Sequence, residues 1–140
     1  MALKIKACDT WFSKCVREAA DWTCEKSGVK FERGSMGLHC SHIFSRRHRT
    51  IRWCKENAQA LSYNAHQWFG ANPADSAVWL EETLGEGHIQ LLREKRDNSR
   101  VKIPRSEEKA IATWYKNEHD KLIDRRMNGE TGKLDFNSYQ

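Results

Sequence analysis

His42, Asn57 and His66 occur in that order within Leu38–Pro73, a stretch that also carries Arg46, Arg47, Arg49 and Arg52. These residue types suit hydrolysis of a phosphodiester. An imidazole such as that of His42 can take a proton from water, and a second, His66, can hold a divalent ion beside a phosphate oxygen. Asn57 offers amide donors and a carbonyl acceptor, which suits it to bracing the loop between the histidines. Residues 42–55 hold Arg46, Arg47, Arg49, Arg52 and Lys55 without one acid. A lone cationic run is ordinarily a solvated surface. Its coincidence with the histidines points instead to a polyanionic partner, nucleic acid, whose phosphates reward binding through counterion release.

The elements that must position these residues are legible in part from periodicity. Leu38–Phe44 reads as a strand, and the β-compatible Thr50–Trp53 reads as its partner across a basic loop at 45–49. A helix near His66 would complete a strand-strand-helix unit. Strand alternation places Cys40 and His42 on one face and His39 and Ser41 on the other. Upstream, Asp9 is the expected N-cap of a helix whose Phe12, Cys15, Val16 and Ala19 make one apolar face. Val29–Glu32 reads as a short strand. Downstream, Asn72-Pro73 starts a helix that buries the side near Val78, Trp79 and Leu80. A further helix spans His88–Lys95. Ser106 caps a longer one with Ile111, Trp114, Tyr115, Leu122 and Ile123 on its packing face. The expected class is therefore α+β.

With 140 residues the chain is expected to form one domain over 1–127, with a core at about 22–80 and a helical extension at about 73–127. The polar tail 128–140 is a candidate for flexibility. The net charge of +5 is modest, and six tryptophans and five phenylalanines provide aromatic area for a core. No apolar run reaches the roughly 18 residues of a membrane span, and the N-terminus lacks a signal-peptide core, so a cytoplasmic protein is expected, without a membrane partner. Five cysteines, at 8, 15, 24, 40 and 54, include no C-x-x-C pair. Reduced thiols are expected rather than disulfides. His48 and His88 read as surface residues.

The segments H-C-S-H-I-F-S-R-R, then R-W, N-A-x-A-L and H-Q-W-F-x-x-N-P, resemble the HNH, or ββα-metal, endonucleases, and more narrowly the phage HNH proteins that include NinG-like recombination proteins. The resemblance covers roughly residues 22–80. It implies a ββα-metal unit that hydrolyses DNA with a divalent ion (Mg, Mn, Ni or Zn), with a recombination intermediate as a candidate substrate, in the cytoplasm of a bacterial host if the chain is phage-encoded. It makes His42 the general base, Asn57 a loop brace or orienter of His42, and His66 a metal ligand, with Arg46 and Arg52 gripping phosphate.

Two departures accompany it. Many relatives place Asp or His as a ligand before the base, where this chain has Ser41, which leaves His39 or Cys40 to supply another ligand. Many also carry two C-x-x-C knuckles around a structural zinc. Here the corresponding segments are Trp22–Gly28 and Ala60–His66, and only Cys24 of the four ligands remains. No structural zinc is expected, and Trp22, Tyr63, Trp68 and Phe69 are the aromatic substitutes. The alternative is a catalytically reduced HNH scaffold that binds a protein or nucleoprotein partner, as an inhibitor or regulator of a nucleic-acid-processing complex. A plain DNA-binding module is the third reading.

Overall fold

The spacing of Phe12, Cys15, Val16 and Ala19 winds into a helix, α1 (Ala7–Ala19), in the computed structural model, which describes residues 3–139. Asp9 is not its N-cap. Lys6 is the N-cap, and Asp9 sits in the first turn, where its carboxylate accepts the Lys6 backbone N–H at 2.9 Å. A carboxylate there also meets the positive end of the helix dipole.

Strand β1 (Leu38–His42) pairs antiparallel with β2 (Ala58–Ser62), with His39 opposite Leu61 and His42 opposite Ala58. The partner is therefore not Thr50–Trp53. That segment turns within the connection 43–57, where Ile51, Arg52 and Trp53 are buried and their polar atoms are held from outside the sheet. Ala58–Ser62 is a weak β-former by composition, yet both of its edges are bonded: β1 takes one, and Glu25 takes the other through Glu25 N to Ala60 O at 2.8 Å and Ala60 N to the Glu25 carboxylate. Tertiary pairing outweighs propensity here. Val29–Glu32 likewise contributes only an isolated bridge, Thr23 to Lys30.

Helix α2 (Tyr63–Ala71) follows β2 directly, its first turn capped by Ser62 Oγ accepting from Ala65 N at 3.2 Å. Next come α3 (Pro73–Leu84), α4 (Gly87–Arg96) and α5 (Glu108–Met127). Pro73 opens α3 as expected, although Asn72 spends its side chain on Trp68 O instead of capping. Leu80 is buried, Trp79 half-buried and Val78 exposed. Ser106 does not cap α5 but lies in the 3-10 turn Arg105–Glu107 that precedes it. The fold is α+β, five helices around a two-stranded sheet among the described residues. No described helix is long and apolar enough to cross a membrane.

The core lies where α1 packs on α5, with Phe12 edge-on to Tyr115 at 5.0 Å between ring centroids. Residues 132–139 are part of it, contrary to the flexible tail expected there. Leu134 N donates to Ala19 O at 2.8 Å, Asn137 N to Glu118 at 2.8 Å and Tyr139 N to the Tyr115 hydroxyl at 2.9 Å, while Phe136 is buried against Phe12 and Tyr115. Composition misses this because one buried aromatic and a few backbone bonds suffice to order a polar segment. Phe136→Ala is expected to cost about 3 kcal/mol by the transfer and cavity terms of a buried aromatic. Urea unfolding checks this, and an unchanged midpoint would show that the tail does not pack in solution.

Candidate functional site

A cleft of about 680 Å³ runs along the edge of β1 that β2 leaves unpaired, and His39, Cys40, His42 and His66 all line it. The local folding explains the convergence. β1 carries three of the four, and Ser62, the last residue of β2, caps α2 at once so that His66, in its first turns, comes back over β1. The Nδ1 atoms of His39 and His66 then stand 3.0 Å apart. Burial lowers the affinity of His66 for a proton, and the neighbouring His39 lowers it further.

Cys40 and His42 face the other way, toward α1. The His42 ring packs on Phe12 with centroids 5.9 Å apart. Burial pushes the Cys40 thiol up to about 12. The structure thus joins His66 to His39 and not to Cys40.

The His42 Nε2 lies 3.0 Å from the Arg52 carbonyl oxygen. A carbonyl only accepts, so Nε2 carries the proton and a neutral ring leaves Nδ1 bare. The ring is neutral at physiological pH, because burial lowers its pKa from 6.5 to about 4. Asn57 is fully buried and braces the connection: its Oδ1 accepts Phe44 N at 2.8 Å, and its Nδ2 donates to Phe44 O at 3.0 Å and Ile51 O at 3.2 Å.

The five cations divide. Arg52 does not reach solvent to grip phosphate. Its guanidinium, 5% exposed, is held by Asp9 through Nη2 to Oδ2 at 2.7 Å and Nε to Oδ1 at 2.9 Å. Arg49 is also turned inward, donating to Ile103 O and Glu108 at 2.9 Å each and lying over the Trp53 ring. Lys55 pairs with Asp135 at 2.8 Å. These three compensate acids of the fold, a use that a count of charges cannot distinguish from a binding patch. Arg46 lines the cleft and Arg47 is exposed beside it. His88 is half-buried and donates to Glu56 O at 2.6 Å, so it belongs to the scaffold rather than the surface.

Sequence reasoning missed the contribution of α1. Asp9, Thr10, Ser13 and Arg17 form a polar stripe along the cleft wall. The spacing of three to four residues from Thr10 through Ser13 to Arg17, and from Asp9 to Ser13, is the signal that would have found them.

The segments Trp22–Gly28 and Ala60–His66 lie side by side. Cys24 Sγ accepts N–H groups from Ser27 at 3.4 Å and Ser62 at 3.2 Å; against the opposing effect of burial, a hydrogen bond from the Ser27 side chain together with these and the Lys26 backbone brings its pKa to about 7. Lys26 spans the neighbouring indoles, its ammonium 4.2 Å from the Trp68 ring centre and 5.6 Å from that of Trp79. Trp22 is buried and Trp68 and Phe69 half-buried, but Tyr63 is exposed and is no substitute for a core ligand. None of the five cysteines is in a disulfide.

No family model matches the chain, and neither a curated protein nor a solved structure does.

The two nitrogens of His39 and His66 suit a borderline divalent ion such as zinc or nickel better than magnesium, which prefers oxygen. Among the described residues no group of three or more His, Cys, Asp or Glu side chains is placed to hold an ion. Two nitrogens would leave most of a coordination shell to donors from outside the chain.

The low His42 pKa carries a stability consequence. The unfolded ring protonates near 6.5 and the folded ring near 4, so stability present above pH 6.5 is lost as pH falls through that window. The contribution of His42 is at most about 3 kcal/mol. His66 and His119, also lowered by burial, add to the decline. Urea unfolding at pH 7 and pH 4.5 should show a shallower decline in His42→Gln than in wild type, and an equally steep one would reject the assignment.

Proposed function

We propose that the protein is a metal-dependent endonuclease of HNH type that hydrolyses DNA phosphodiesters. The observation that carries this reading is the sharing of one cleft by a neutral imidazole with a bare Nδ1, His42, and a pair of imidazole nitrogens 3.0 Å apart, His39 and His66. Support also comes from the strand-strand-helix order β1-β2-α2, from the bracing of the connection by Asn57, and from the pairing of the two knuckle-like segments.

In this mechanism Nδ1 of His42 accepts a proton from water as the oxygen attacks phosphorus, and the bond to the leaving sugar oxygen breaks, that oxygen keeping the electron pair and taking a proton from solvent water. Arg46 receives a non-bridging phosphate oxygen at the cleft wall. His39 and His66 would hold the divalent ion, which when bound supplies Lewis-acid stabilisation of the phosphate charge. The resemblance adds a recombination intermediate as the substrate and Mg, Mn, Ni or Zn as the ion.

Plasmid nicking by the purified chain, with each of these ions in turn, is the test. His42→Ala should reduce the rate by about 10² to 10⁴, the usual contribution of a general base, with folding retained by circular dichroism. His66→Ala should raise the metal concentration needed for half-maximal rate. Nicking that survives His42→Ala unchanged would reject the base.

A second reading, a binding protein on the same scaffold, draws support from the two-nitrogen ligand set and from the inward commitment of Arg49 and Arg52. It expects no nicking with any of these ions, and capture of a protein or nucleoprotein partner. Metal-dependent turnover would count against it.

A further inference from the structure

We propose that Asp9 is a positioning residue for His42: by gripping Arg52 it holds the Arg52 carbonyl against Nε2 of His42 and so sets the tautomer that leaves Nδ1 able to accept a proton. The catalytic consequence rests on the reading of His42 as the base.

Asp9 lies in the first turn of α1, outside the stretch that carries the histidines, and is buried. Its carboxylate gathers three donors from two consecutive residues of the connection: Arg52 Nε at 2.9 Å, Arg52 Nη2 at 2.7 Å and Trp53 Nε1 at 3.1 Å. The Lys6 N–H, at 2.9 Å, fixes the carboxylate in turn, and Arg52 Nη2 also donates to Lys4 O at 3.2 Å. The main chain between these two anchored side chains presents the Arg52 carbonyl, which accepts from His42 Nε2 at 3.0 Å. Displacing that oxygen would drag a buried guanidinium and an indole N–H off their shared acceptor, so the oxygen is held as firmly as the ion pair. One turn further along α1, Phe12 packs on the His42 ring. The helix therefore sets both the ring's packing and the partner of its Nε2.

A neutral imidazole has one N–H and one lone pair, and the hydrogen bond made by one nitrogen decides the state of the other. With the Arg52 oxygen in place, Nε2 is the donor and Nδ1 is the base. With that oxygen free to move, the other tautomer, which has its proton on Nδ1 and cannot accept one there, becomes populated.

The test is a long-range proton–nitrogen correlation on the full chain carrying ¹⁵N-histidine, metal-free at pH 7. Wild type should show His42 with a protonated Nε2 and a bare Nδ1. Asp9→Asn keeps the size but removes the charge, and its two His42 nitrogen signals should move toward each other. Its kcat should fall about 10²-fold, the scale of a misplaced reacting group, with KM little changed. Asp9→Glu, which retains a carboxylate, should recover part of both. Should Asp9→Asn fail to fold, Asp9→Asn with Arg52→Met leaves no buried charge unpaired and should show the same averaging. Wild-type nitrogen signals in either folded variant would overturn the proposal. The tautomer response decides it even if wild type nicks no DNA, in which case the endonuclease reading fails and the positioning role stands on its own.

Discussion

The buried ion pair between Asp9 and Arg52 is the constraint on which the candidate site depends. Residues 43–57 join the two strands with no regular element beyond the short turn Lys55–Asn57. A connection of that kind is expensive to order. Several polar anchors order it, and two of them act at the site. Asn57 ties its end to its beginning at Phe44 and to its middle at Ile51, and Asp9 ties Arg52 and Trp53 to α1. Burying two charges is costly unless they are paired and hydrogen-bonded. Here the Asp9 carboxylate accepts four N–H donors, so the burial fixes one arrangement of the connection.

A second buried carboxylate at the other end of α1 plays a parallel part. Glu18 accepts from Trp22, Arg33 and Arg126, and the guanidiniums lower its pKa despite burial. These contacts hold the reversal after α1, where Asp21 and Trp22 have positive φ, and tie it to α5. One face of the helix thus fills the core against α5 while its polar residues hold the connection and line the cleft. This double use explains why Arg49 and Arg52 are turned away from the cleft. Arg49 and Arg52 neutralise the acids that make the fold, which leaves Arg46 and Arg17 at the cleft wall.

Much of this was legible where a residue's role follows from near neighbours in the chain. The apolar face of α1, the packing face of α5 through Ile111, Tyr115 and Leu122, Pro73 at the start of α3 and the alternation that separates His39 from Cys40 all follow from local period. The errors fall where a distant residue changes the outcome. Thr50–Trp53 has better β-propensity than Ala58–Ser62, yet Asp9 takes the side chains of the former and Glu25 closes the free edge of the latter. Residues 132–139 look like a polar tail until α1, α5 and Lys55 supply partners for their backbone and side chains.

The sequence by itself determined the residue types of the site, its order along the chain, the α+β class and the local helical and strand periods, because these depend on side-chain chemistry and on spacing of a few residues. Tertiary structure alone decided which cations are free, which histidine stands beside His66, and which nitrogen of His42 carries the proton. Those outcomes depend on partners brought from far along the chain, such as Asp9 for Arg52, and their energies come from burial and hydrogen-bond geometry that no local pattern encodes.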